Sequence, residues 1–136
     1  MPRHAITAPR ASAVGPYSHA AEQHGFVYLS GQTPMLPGTT TLASGGVGDQ
    51  TRQCFANLGS VLTAAGLTFA DVVKCNVYLT DMSDFAAMNS VYAEVFAEPY
   101  PARTTIGVAA LPLGASVEIE MIAARSLLAP ATPATP

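Results

Sequence analysis

The run Val117-Glu118-Ile119-Glu120-Met121-Ile122-Ala123 places two glutamates at alternate positions of an otherwise apolar segment. A period of two belongs to a β-strand, so Glu118 and Glu120 share one face, with Cβ atoms about 7 Å apart. The apolar partners between them require a dry face, and that requirement shapes every layer that follows. Charge is scarce, at 11% of residues. A carboxylate on a half-buried strand costs free energy unless it is paired or working. The spacing resembles that of glycosidase carboxylates. Those groups flank a bond from opposite sides, however, whereas these stand parallel on one strand. Upstream, Pro101-Ala102-Arg103-Thr104-Thr105 delivers an arginine at a strand entrance. A guanidinium grips a carboxylate through two coplanar hydrogen bonds. Arg103 and a proton-moving glutamate suffice for cofactor-free chemistry on a small carboxylate.

The remaining pattern predicts an α+β domain. Ala20–Glu22 and Phe26–Ser30 flank His24-Gly25 and read as a hairpin, with Gly31-Gln32-Thr33-Pro34 ending its second strand. Residues 35–48 are rich in glycine, proline and threonine and read as a loop. Asp49–Ala65 carries Thr51, Cys54, Phe55, Leu58, Val61, Leu62 and Ala65 at helical spacing, with Gly66 as its stop. Asp71–Leu79 is a strand, with Val73, Cys75, Val77 and Leu79 on one face. A second helix, capped by Ser83 or Asp84, runs to about Phe96, where Glu98-Pro99-Tyr100-Pro101 breaks it. Thr104–Ala110 and Val117–Ala124 are the last strands, separated by the turn Leu111-Pro112-Leu113-Gly114. The order predicts a mixed sheet with two helices packed on one face. Residues 1–128 form one domain, and the Pro/Thr/Ala tail 129–136 is expected to be disordered.

Composition narrows the functions. At 136 residues and 49% apolar, the chain has surplus apolar surface for burial between subunits. No apolar run reaches the roughly 18 residues of a membrane helix. Met1-Pro2-Arg3-His4 leads into no signal core, so the cytoplasm is the expected compartment. The net charge is −3, with Lys74 the single lysine, and there is no basic run to neutralise phosphates. Nucleic acid is therefore not an expected partner. Cys54 and Cys75 read as small buried hydrophobes. His4, His19 and His24 are scattered, and no Cys/His spacing suggests a metal.

Several short motifs, weak singly, occur in one order: Ala13-Val14-Gly15-Pro16-Tyr17-Ser18, Ser30-Gly31-Gln32, Ala64-Ala65-Gly66, Asp84-Phe85, Pro101-Ala102-Arg103, Ala109-Ala110-Leu111-Pro112 and Val117-Glu118-Ile119-Glu120. As a set they closely resemble the Rid/YjgF family, the reactive intermediate deaminases, over residues 12–125. The resemblance implies a chorismate mutase-like fold and a homotrimer with clefts between subunits. It implies hydrolysis of enamines and imines, 2-iminopropanoate and 2-iminobutanoate, to 2-keto acids and ammonia. Arg103 matches the arginine that binds the substrate carboxylate, and Glu118 the glutamate that positions water. Tyr17, Ser30, Gly31 and Asn89 match residues lining the cleft. Thr105 stands where several bacterial members have a cysteine, so the backbone contact is available there and the thiol is not. The family chemistry needs no metal, flavin or nucleotide cofactor. Two other functions compete: a non-catalytic metabolite-binding trimer, which needs the arginine and not the glutamate, and an endoribonuclease, which lacks its basic surface here.

Overall fold

The computed structural model describes residues 2–9 and 14–126. The expected tail 129–136 and the end of the domain at 127–128 lie outside the described residues. Eight elements follow in order: β1 (His4–Ile6), β2 (Ala20–Gln23), β3 (Phe26–Gln32), α1 (Val47–Ala64), β4 (Val72–Leu79), α2 (Phe85–Val95), β5 (Ala102–Gly107) and β6 (Val117–Ala124). Short 3₁₀ turns at Phe69–Asp71, Met82–Asp84 and Pro112–Gly114 link them. The six strands form one mixed sheet in the order β1-β2-β3-β6-β4-β5. Strand β6 runs antiparallel to both β3 and β4, and β5 is parallel to β4. Both helices act as crossovers, and both pack against the same face. The α+β layout read from the pattern is thus the one that forms.

The core lies between that face and the helices. Val117, Ile119, Met121 and Ala123 alternate inward from β6, and Cys75, Val77 and Leu79 do so from β4. They meet Cys54, Phe55, Leu58, Val61 and Leu62 of α1 and Met88, Val91 and Tyr92 of α2. Phe55 sets its ring edge-on to Phe69, Tyr92 and Phe96, with centroids 5.7–6.0 Å apart. The sheet's other face is bare in the single chain, with Phe26, Tyr28 and Ile106 each 44–51% exposed.

The hairpin forms as expected. His24 and Gly25 both take the left-handed conformation, with φ of 55° and 82°, as a two-residue hairpin turn requires. Gly66, at φ 75°, ends the first helix.

Several local expectations need correction. Strand β1 was not anticipated: three residues give too short a pattern, and their pairing with β2, Ile6 opposite Ala20, is long-range. Helix α1 begins at Val47 and not at Asp49, because Gly46 supplies the extended N-cap and Gly48 lies inside the first turn. Val73 does not share the core face with Cys75. The β4–β6 register slips between Val72 and Lys74, and the extra residue turns outward, 46% exposed. The entry to α2 is organised by Asp81, whose carboxylate accepts hydrogen bonds from the backbone N–H and the hydroxyl of Ser83 at 2.9 and 2.7 Å. Asp84 occupies the N-cap without a side-chain bond. Strand bounds also shift: β5 runs from Ala102 to Gly107 and not from Thr104 to Ala110, and β3 continues through Gly31 to Gln32.

Candidate active site

Two groups of polar side chains stand on opposite sides of the sheet. The first is centred on Arg103. In the parallel β4–β5 pair, Arg103 lies opposite Cys75 and Thr105 opposite Val77. Cys75 and Val77 face the helices, so Arg103 and Thr105 do too. Helix α2 receives the guanidinium: Arg103 Nη1 donates to Asn89 Oδ1 at 2.7 Å. The guanidinium carbon sits 4.6 Å from the Tyr92 ring centroid and 5.5 Å from that of Phe85. Asn89 and Tyr92 are three apart on the helix, which puts them on one surface. An amide and two ring faces orient the fork and leave its charge unopposed. The described residues form ion pairs at Arg52 with Asp49 and Glu94 and at Arg125 with Glu22, and Arg103 has no carboxylate partner among them.

A cavity of about 350 Å³ opens beside the guanidinium, lined by Asn89, Tyr92, Ala93, Tyr100, Pro101 and Arg103. The Thr105 hydroxyl is buried with its hydrogen bond unmade among the described residues. Burial, then the neighbouring Cys75, pushes the Tyr92 phenol up to about 12. Desolvation likewise pushes the Cys75 thiol up to about 12, so it is an inert core group.

The second group is centred on Glu118. Val117 and Ile119 face the helices, so Glu118 and Glu120 project from the bare face, where Tyr78 lies opposite Glu118 and Asn76 opposite Glu120. Strand β3 is bulged here: Leu29 pairs with Met121 and Gln32 with Ile119, three steps against two. The bulge brings Gly31 against the glutamate, with Ser30 beside it on the strand. A side chain at position 31 would fall well inside van der Waals contact of Glu118 Oε2 and 3.0 Å from its Cδ, so any larger residue displaces the carboxyl. Ser30 Oγ donates to Ser18 O at 2.6 Å and Ser30 N–H to His19 O at 3.0 Å. These bonds tie the Gly15-Pro16-Tyr17-Ser18 turn to the bulge. Tyr17 is 43% exposed, and its hydroxyl accepts from Val14 N–H at 3.3 Å. Tyr17, Ser18, Tyr28 and Ser30 line a cavity of about 420 Å³. Burial, and secondarily the like charge of Glu120, raises the Glu118 carboxyl above its ordinary range.

The sequence-predicted residues therefore separate. Arg103, Asn89 and Thr105 gather on the helix side, and Glu118, Gly31, Ser30 and Tyr17 on the other. Tyr92 and Phe85 beneath Arg103, and Asn76 and Tyr78 beside the glutamates, were not singled out from the sequence. The Asn89–Tyr92 spacing was the available signal for the first pair. A larger groove of about 620 Å³, lined by residues such as Pro9, Gly59, Ser60, Leu67 and Phe69, has no ionisable group among the described residues that line it. Among the described residues, no group of three or more His, Cys, Asp or Glu could hold a metal ion.

Comparison with known proteins matches residues 6–125 to the family model described as Endoribonuclease L-PSP. The chain is 48% identical over 121 residues to the protein named mmf1, mitochondrial, of Schizosaccharomyces pombe, covering 87% of this chain and 74% of that one. It is 44% identical over 126 residues to the 2-iminobutanoate/2-iminopropanoate deaminase of Capra hircus, covering 93% and 92%. The crystal structure of RidA from the Antarctic bacterium Psychrobacter sp. PAMC 21119 superposes with a TM-score of 0.85 at 46% identity, over 90% of this chain and 100% of that one.

Proposed function

Because the chain belongs to the Endoribonuclease L-PSP family, the Rid/YjgF proteins, we propose that it hydrolyses small 2-imino acids, 2-iminopropanoate and 2-iminobutanoate, to 2-keto acids and ammonia. The observation that carries this reading is Arg103: an oriented guanidinium beside an open cavity, with an amide and two rings for neighbours and no anion among the described residues. That is a seat for a substrate carboxylate. The name of the goat relative supplies the substrate class.

The chemistry follows from the two groups. Arg103 binds the carboxylate and orients the C=N bond. Glu118 takes a proton from water as the water oxygen adds to C2 of the N-protonated imine, the C=N π pair going to nitrogen to give a carbinolamine. Glu118 passes that proton to the amine nitrogen. The C–N bond then breaks and ammonia leaves as the C=O forms, the hydroxyl proton going to Glu118 and from there to the departing ammonia as ammonium. Orientation and a positioned base supply the acceleration. Arg103 and Glu118 lie on opposite faces of one sheet, so a complete site draws them from two chains. We therefore assign a homotrimer with a cleft at each subunit contact, the bare sheet face being covered by neighbouring copies.

The test couples the protein to a serine/threonine dehydratase that generates the imine, with semicarbazide trapping what survives. Loss of semicarbazone on adding the protein is the expected result. An undiminished semicarbazone yield refutes the deaminase and leaves a binding role.

A further inference from the structure

Resting on the deaminase reading, we propose that Glu120 is a positioning residue: Asn76 and Tyr78 hold its carboxylate on the bare sheet face, so that a fixed negative charge stands beside Glu118 as Glu118 takes the proton from water. Strand geometry places the two carboxyls on the same face. Asn76 lies directly across from Glu120, and its Nδ2 donates to Glu120 Oε2 at 3.1 Å. Tyr78, across from Glu118 and diagonal to Glu120, hydrogen-bonds to the Glu120 carboxyl. Glu118 has the opposite surroundings. The side facing β3 meets the bare Gly31, which carries no charge.

The charged and titratable groups facing Glu118 are few. Glu120 comes from its own strand and Tyr78 from β4, while β3 presents Gly31. On β5, beyond β4, Thr104 and Ile106 flank Asn76 and Tyr78, and Lys74 Nζ donates to Thr104 Oγ1 at 2.8 Å. In the proposed assembly Arg103 of a neighbouring copy also enters the cleft, and its charge is the same in every variant compared. Cys54, whose thiol feels the Glu118 charge, lies on the helix side of the sheet. Glu120 is thus the one carboxylate among the described residues acting on Glu118. Its negative charge makes Glu118 hold a proton more tightly. A group that takes a proton from water works better as its proton affinity rises.

The test measures Glu118 directly. Protein labelled with ¹³C at glutamate carboxyls is titrated by NMR, using Glu118→Gln to assign the resonance, and kcat/KM is followed against pH with excess dehydratase. In Glu120→Gln the Glu118 midpoint is expected to move to lower pH. The acid limb of kcat/KM moves with it, turnover falls by less than in Glu118→Gln, and 2-keto acid affinity is kept. Asn76→Ala, which retains the charge and releases its tether, is expected to shift the midpoint in the same direction by less. An unmoved midpoint in a folded Glu120→Gln protein overturns the proposal. Should that variant fail to fold, the same criterion applied to Asn76→Ala decides. A midpoint that moves in a protein without imine hydrolysis sinks the deaminase reading and the positioning role with it. An unmoved midpoint in an active protein sinks the positioning role alone.

Discussion

At the scale of single residues, the two charged groups differ in how the fold treats them. Arg103 is oriented by an amide and two rings beside an open cavity, whereas Glu118 is half-buried at a cost. Its raised proton affinity fixes the sign of that cost. The protonated acid is tolerated, so the destabilisation is absent below the ordinary carboxylate range and grows as pH rises through the folded-state value. Glu118→Gln is therefore expected to melt at a higher temperature than the parent at pH 7, and the difference should vanish at low pH. The same variant should lose roughly 10²–10⁴ in turnover, the usual contribution of a positioned base. Thermal melts at several pH values together with the coupled assay check both. A variant less stable at pH 7 contradicts the desolvation argument. For Arg103→Ala, losing a charge-assisted bond worth about 1.5–3 kcal/mol lowers kcat/KM about tenfold to a hundredfold. Lys at this position restores only part, lacking the planar fork. Equal kinetics in parent, Ala and Lys variants would make Arg103 a packing residue of α2.

At the scale of elements, the bulge in β3 sets the site. Gly31 is needed for close approach, because Glu118 Oε2 occupies the place of its missing Cβ. Gly31→Ala should leave melting within about 1 kcal/mol of the parent, since the flexible end of Glu118 can swing away, in line with ordinary substitutions. It should still cut turnover by displacing the base. An active Gly31→Ala protein counts against the arrangement. The alternation of β6 and the helical stripe of α1 were legible because each repeats over many residues. Irregular points were not legible. Val73 looks identical to Val77 in the pattern, and only the slip against β6 turns it outward. Gly48 reads as loop because glycine seldom starts a helix, yet Gly46 caps α1. The family resemblance pointed to Arg103, Glu118, Gly31, Ser30, Tyr17, Asn89 and Thr105 as candidates. It could not show their division between the two faces, because the side taken by Arg103 depends on the register of β5 against β4, which the α2 crossover sets.

At the scale of the whole molecule, the proposed reading makes the assembly part of the chemistry, because Arg103 and Glu118 stand on opposite faces of one sheet. Light scattering is expected to give about three chain masses, the proposed cyclic arrangement in which one patch meets a different one. A monomer at micromolar concentration removes the composite cleft. Mixing supplies a sharper test. Arg103→Ala and Glu118→Gln, each impaired alone, should together exceed the activity of either when unfolded and refolded as a mixture. Random assortment in a ring leaves about a quarter of the contacts with both intact groups. Activity that stays at the level of the separate variants shows that both groups serve one chain. The same arithmetic reaches heredity. Two recessive lesions in a single gene, one in the strand that carries Arg103 and one in the strand that carries Glu118, would partly rescue each other in a cell holding both alleles, and a genetic cross would score one locus as two.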